Sequence, residues 1–195
     1  MSRSKRRRLD PQIRRREILE AAERLLAARG PGVRVEDVVS EAGAAKGTFY
    51  LYFPTWDDLL EALRARVFER FEAANPLPDA AQQEDIDWPA TLDARATAFV
   101  DAIQDMGGLH DVLFHGDFAQ RRPLPADSDA VGRLAMLIRS GRDAGCFAVS
   151  DIGVTARLLF AVIHEAADLL AAGTDRAAVL AGMRQILRRA LCGEA

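Results

Sequence analysis

Aromatic residues make up only 7% of this 195-residue chain, and it holds just two cysteines and two tyrosines. Cys146 and Cys192 lie far apart with no metal-ligand spacing, which excludes a disulfide framework and a cysteine-built zinc site; both read as reduced and structural. No apolar run approaches the ~20 residues of a membrane span. The basic start, MSRSKRRRLDPQIRRR, has no apolar segment behind it and so lacks the form of a secretory signal. A cytoplasmic protein with no membrane partner is expected. Also missing are a Gly-x-Ser-x-Gly elbow, a Gly-Lys-Ser/Thr phosphate loop and a zinc-ligand set. The many Asp and Glu residues fit solvated helix faces, so no catalytic residues, no enzyme activity and no cofactor are expected. His110, His115 and His164 are the only histidines; the i, i+5 spacing of the first two places them on different helix faces, so no metal site is expected.

What is present is helical periodicity, with no convincing strand alternation and no internal repeat. Hydrophobic residues at 49% and charged residues at 28% suit a soluble globular protein. The net charge of −3 conceals an asymmetry: residues 1–53 hold 12 Lys+Arg against 7 Asp+Glu, or +5, leaving −8 for the rest. Either the basic end meets a polyanion or it is a solvated tail. Asp10-Pro11 reads as an N-cap followed by proline at the first helical position. Ile18, Ala22 and Leu25 then mark an apolar stripe, widened by Leu26, that ends at Gly30. Arg14, Arg15 and Arg16 stand near the start of this helix, where its dipole disfavours cations by a few tenths of ~1 kcal/mol each; a phosphate backbone would reverse that sign.

A short second helix is predicted over 35–42, a turn at Gly43, a third helix over 45–53 stopped by Pro54, and a fourth over 56–74 capped by Thr55 with Asp58 in a capping-box position. Residues 75–91 read as a loop. Helices follow over 92–106 and 109–118, then a second loop, then 130–144, 151–172 and 175–191, the last with Thr174 as its cap. The expected fold is all-α with about nine helices. Residues 1–54 would form a small three-helix domain with a basic arm, and 55–195 a larger helical domain.

The stretch GAAKGTFYLYF, residues 43–53, concentrates four of the thirteen aromatic residues. Two short helices joined by a glycine turn and braced by a longer helix describe a helix-turn-helix. Phe49 and Phe53, four apart, share an inward face against the first helix and Val38. Lys46 and Tyr50 share another stripe with Gly47 and Leu51, and this one points outward. A lysine can reach phosphate, a glycine lets backbone approach DNA, and a tyrosine can offer a hydroxyl to phosphate or a ring to a thymine methyl.

At this point the chain resembles the tetracycline-repressor (TetR) family of transcriptional regulators. The resemblance is carried by VEDVVSEAGAAKGTFYLYFPTWDDLLEAL, residues 35–63, with the helix RREILEAAERLLAARG before it. It implies a homodimeric repressor that binds a palindromic DNA operator and is released by a small-molecule effector. Carried over residue by residue, it makes Ala45, Lys46, Gly47, Thr48, Tyr50, Leu51 and Tyr52 the DNA-facing set. Three positions depart from the family's pattern: Arg34 stands for a capping threonine, Ala45 for a capping serine, and Trp56 for a lysine. Arg34 can still meet phosphate and the Trp56 indole can donate a hydrogen bond. The arm SRSKRRR either lies along the duplex or adds only long-range attraction.

In the last helix Val179, Met183, Ile186 and Ala190 form one stripe and Leu180, Leu187 and Leu191 a second. One stripe serves the chain's own core; the other suits a four-helix interface between two copies, where the resembled family dimerises. The expected interface residues are Val179, Met183, Ile186, Leu187 and Ala190. In the family the central helices enclose an effector, which makes Phe68, Met106, His110, Phe114, Met136, Phe160 and His164 candidate pocket residues, each also readable as plain core. Their aromatic and Met character suggests a mostly apolar effector. Two other functions stay open: a DNA-binding activator or architectural protein with no ligand, and a helical small-molecule binder or enzyme.

Overall fold

The computed structural model describes residues 10–79, 85–124 and 129–192. Among these residues the chain is all-helical: α1 (Pro11–Arg29), α2 (Val35–Glu41), α3 (Lys46–Tyr52), α4 (Trp56–Ala74), α5 (Trp88–Gln104), a single turn α6 (Gly108–His110), α7 (Asp117–Arg121), α8 (Asp129–Asp143), α9 (Ile152–Ala171) and α10 (Arg176–Cys192). None of these helices is long and apolar enough to cross a membrane. The basic arm lies outside the described residues.

The chain divides into two compact units, one running to Arg66 and including Gly107–Arg122, the other holding Val67–Met106 and the chain from Pro123 onward. In the first unit α1 begins as its Asp-Pro signal requires: Asp10 Oδ1 accepts from the Gln12 amide at 2.8 Å. Its face of Ile18, Ala21, Ala22, Leu25 and Leu26 is buried, as are Val38, Phe49, Phe53, Leu59 and Leu63 of the same unit. The α4 cap is reciprocal, with the Asp58 amide donating to Thr55 Oγ1 at 3.1 Å and the Thr55 amide to Asp58 Oδ2 at 3.0 Å. Arg64 is buried here, its Nη1 donating to the Arg122 carbonyl at 2.7 Å, its Nη2 paired with Glu61, and its guanidinium 4.9 Å over the Phe118 ring. Burying an arginine is tolerable only with partners of this kind.

Gly107 and Gly108 belong to this unit and meet the end of α1. Gly107 sits at φ +54°, and a Cβ on Gly108 would lie 2.9 Å from both Gly30 Cα and Gly30 N. Two backbones approach as closely as two glycines allow.

In the second unit α9 packs against α5, α8 and α10. The core holds Trp88, Leu92, Val100, Leu137, Ile138, Leu159, Ile163 and Leu187. Gln104 Nε2 donates to the Ala167 carbonyl at 2.7 Å, tying α5 to α9. Arg188 Nε donates to the buried Asp93 carboxylate at 2.9 Å, tying α10 to α5.

Three local expectations are corrected. The helix predicted from 92 begins at Trp88, because Asp87 caps it (Ala90 amide to Oδ1, 2.9 Å) and Pro89 suits its first turn. The helix predicted over 109–118 is broken: after α6 the segment Asp111–His115 winds as a π turn, and α7 starts beyond Gly116. The cap of α10 is Asp175, whose Oδ1 accepts from the Ala178 amide at 2.8 Å, in place of Thr174.

Candidate nucleic-acid interface and effector cavity

The turn before α3 rests on Gly43, at φ +59°, where a residue with a side chain would be strained. It lets the Ala44 amide donate back to the Val39 carbonyl at 2.8 Å and turns the chain sharply into α3. Phe49 and Phe53 then point inward and are fully buried. Phe49 sits at the centre of an aromatic set, 5.7 Å from the Phe53 ring, edge-on to Tyr50 at 5.3 Å and stacked on Trp56 at 6.3 Å. Edge-on and offset pairs of this kind add roughly 0.5–1.5 kcal/mol each to simple burial.

The other side of α3 faces solvent. Leu51 is 80% exposed and Tyr50 46%. Ala45, Lys46 and Gly47 are exposed beside them; Thr48, Tyr52 and Trp56 are half-buried. Space around Gly47 is open, with nothing within 4 Å of where a Cβ would stand. Neither α2 nor α3 has a side-chain acceptor at its N-cap, as Arg34 and Ala45 imply. The Arg34 amide nevertheless donates to Asp37 Oδ2 at 2.9 Å, so half of a capping box survives.

Glu36, outside the predicted set, accepts from Lys46 Nζ at 2.5 Å. That hydrogen bond, reinforced by the charge attraction, raises the Lys46 pKa and lowers that of Glu36. An acidic residue in the first turn of α2 reads in the sequence as an ordinary helix-dipole complement, which is why its contact with Lys46 was not legible there. A phosphate bound at Lys46 would have to displace this carboxylate. Glu36→Gln is therefore expected to tighten duplex binding several-fold and to steepen the slope of log K against log salt by about 0.9 per subunit, one phosphate's worth. Fluorescence anisotropy titrations across a salt series read this; an unchanged slope would contradict it.

The three arginines near the start of α1 have partners within the unit. Arg14 Nη1 donates to the Ala42 carbonyl at 3.1 Å and pairs with Glu17 at 2.9 Å. Arg16 lies 3.8 Å from Glu20, and the Arg15 guanidinium stands 5.0 Å over the Phe53 ring. These contacts offset the unfavourable dipole term without DNA.

The seven candidate pocket residues are divided between the two units. His110 and Phe114 lie in the first unit, their rings 5.4 Å apart. The expectation that His110 and His115 occupy different faces is corrected: the π turn brings an i, i+5 pair round together, and their rings are 4.8 Å apart. Phe68, Met106, Met136, Phe160 and His164 lie in the second unit. Phe68 and Met106 are buried, Met136 is half exposed on α8, and His164 stands 6.0 Å from Phe160. Phe160 alone of these lines a small cavity of about 30 Å³, with Phe71, Glu72, Leu92, Arg95 and Phe99 among its other walls.

Of the candidate interface residues, Val179, Met183 and Leu187 are buried in the second unit, Ile186 is 50% exposed and Ala190 is exposed. Ile186 borders an open groove of about 750 Å³ along α9 and α10, floored by Ala166, Val179 and Met183 and rimmed by Leu158 and Leu169.

Residues 18–63 match the family model of the bacterial regulatory proteins, tetR family. Among solved structures, the multidrug binding protein EbrR in complex with imidazole is 25% identical with a TM-score of 0.70, over 95% of this chain and 93% of its own. A Shewanella sp. PV-4 chain described as a tetR family transcription regulator is 21% identical with a TM-score of 0.69, over 93% and 99%. RolR in complex with resorcinol is 20% identical with a TM-score of 0.66, over 90% and 88%. No sequence among curated proteins matches.

Proposed function

We propose that this chain, a TetR-family transcription regulator with a helix-turn-helix DNA-binding unit, is a homodimeric repressor that leaves its operator when a small molecule binds. The observation that carries the proposal is the two-sided α3: Phe49 and Phe53 buried on one side, Lys46, Gly47, Tyr50 and Leu51 exposed on the other. Lys46 and Arg34 would hold phosphates, Gly47 would admit the DNA backbone, and Tyr50 and Leu51 would meet base edges, with Ala45, Thr48, Tyr52 and Trp56 at the margin. The protein would act in the cytoplasm, and catalysis has no part in this function.

A palindromic operator needs two such helices spaced by about one turn of DNA, ~34 Å. The apolar groove along α9 and α10 supports a two-fold contact there, since Leu158 and Ile186 are 63% and 50% exposed in the single chain. Ile186→Glu is expected to convert a dimer into a monomer at micromolar concentration in sedimentation velocity, and to weaken operator binding at least tenfold. A wild-type monomer, or an unaffected Ile186→Glu dimer, would contradict this interface.

The effector would act by population shift, binding better to the conformation whose recognition helices do not match the operator; a tenfold change in occupancy needs ~1.4 kcal/mol of preference. The small size of the cavity favours a second reading, a DNA-binding activator or architectural protein without a ligand. Operator release in a small-molecule screen supports the first reading, and saturable DNA binding insensitive to every compound supports the second.

A further inference from the structure

The second unit holds a buried arginine whose charge is only partly matched. Arg95, on α5, keeps 11% of its side chain exposed. Its Nη1 donates to the Asn75 carbonyl, its Nη2 to Glu72 Oε1, and its guanidinium lies 5.0 Å over the Phe71 ring. Glu72 also faces a second arginine, with Arg133 Nε 3.6 Å from Oε2. Two guanidinium groups thus share the Glu72 carboxylate beside an apolar wall. Burial is the leading influence on Arg95 and depresses its pKa against the attraction of Glu72, so a further anion there would be stabilising.

The wall beside it is aromatic. Phe71 and Phe99 meet edge-to-face at 5.1 Å, and Phe99 and Phe160 at 5.4 Å. They surround the 30 Å³ cavity, which is far smaller than the ~150 Å³ that admits a benzene ring. Phe99 and Phe160 are only half-buried, and a ligand ring would enter by turning them aside. On the other side of Arg95 lies an open depression of about 680 Å³, bounded by Asn75, Pro76, Leu77, Pro78, Asp79 and Thr91. Arg95 is the residue common to both spaces. It stands between solvent and the aromatic cavity.

We propose that Arg95 is a charged stopper and the anchor for a small aromatic carboxylate: the ligand's carboxylate takes the guanidinium from Glu72 while its ring enters among Phe71, Phe99 and Phe160. A planar acid matches a guanidinium bidentately, and a ring edge suits the phenylalanine faces. A cationic aromatic would meet the buried Arg95 guanidinium and is disfavoured. The proposal deepens the effector-release function and rests on it for its regulatory meaning, but ligand binding itself is independent of DNA.

The test is calorimetric titration of the full chain with benzoate, benzylamine and benzyl alcohol as matched probes. Benzoate is expected to bind at least tenfold tighter than either of the others. Arg95→Gln is expected to lose at least tenfold in benzoate affinity, whereas Glu72→Gln, which removes the competing carboxylate, gains several-fold. That gain is something a purely structural ion pair would not produce, and circular dichroism of each variant establishes folding. Should Arg95→Gln not fold, the gain in Glu72→Gln alone decides. Equal binding of the three probes, preference for benzylamine, or no gain in Glu72→Gln would overturn the proposal. Benzoate binding of the expected pattern without effect on DNA would leave the site standing and sink effector release; release by a non-acidic compound alone would do the reverse.

Discussion

Replacing Phe49 by alanine is expected to destabilise the first unit by about 3–5 kcal/mol, the cost of deleting a fully buried phenylalanine. The loss is at the high end because Phe49 supports three other rings, Tyr50, Phe53 and Trp56. Tyr50→Ala, one residue on, is expected to cost far less, about 0.5–1.5 kcal/mol for its edge-on contact with Phe49, since much of its side chain faces solvent. It should instead lose about 1–3 kcal/mol of operator affinity, or roughly tenfold to a hundredfold. The chain's two tryptophans, Trp56 in the first unit and Trp88 in the second, make the comparison practicable. In a Trp88→Phe background, denaturant unfolding followed by fluorescence reports on the first unit through Trp56. Equal stability losses for the two variants would contradict a two-sided α3.

Gly108→Ala is expected to cost about 1–3 kcal/mol by overpacking. Its methyl group would lie 2.9 Å from Gly30 Cα and N and 3.0 Å from the Leu26 carbonyl oxygen, all backbone atoms that no side-chain rotation can clear. Gly153→Ala is the matched control. It lies in the first turn of α9 with only Asp151 Oδ1, at 3.6 Å, near its added methyl, and should gain up to ~1 kcal/mol from helix propensity. Thermal unfolding of the two variants should shift in opposite directions. A neutral Gly108→Ala would mean that the ends of α1 and α6 can separate at little cost.

The helix-turn-helix was legible because its signals are local. Asp10-Pro11, Gly43, and Thr55 with Asp58 act within a few residues of themselves, and the spacing of Phe49 and Phe53 assigns the inward face of α3 without tertiary knowledge. Asp87 was equally local but lay hidden in an acidic, proline-rich stretch that reads as loop. The π turn after His110 leaves no trace in helical periodicity, because a single extra residue per turn is indistinguishable from a helix end. The aromatic cavity was less legible still. Phe71 appears in the sequence as one member of an apolar stripe, and Arg95 as one charge on a helix face. Their meeting depends on how α4 and α5 pack, which no spacing along the chain encodes. Met136, chosen for its chemistry, turns outward on α8.

The most direct test of the central claim is selection of bound duplexes from a random DNA pool by the wild-type chain and by Tyr50→Ala. A two-fold symmetric consensus with half-sites about one helical turn apart is expected from the wild type, blurred or lost in the variant. Recovery of no consensus, with equally weak and salt-sensitive binding by both proteins, would contradict a dimeric operator-binding regulator and leave a generic basic surface on a helical ligand binder.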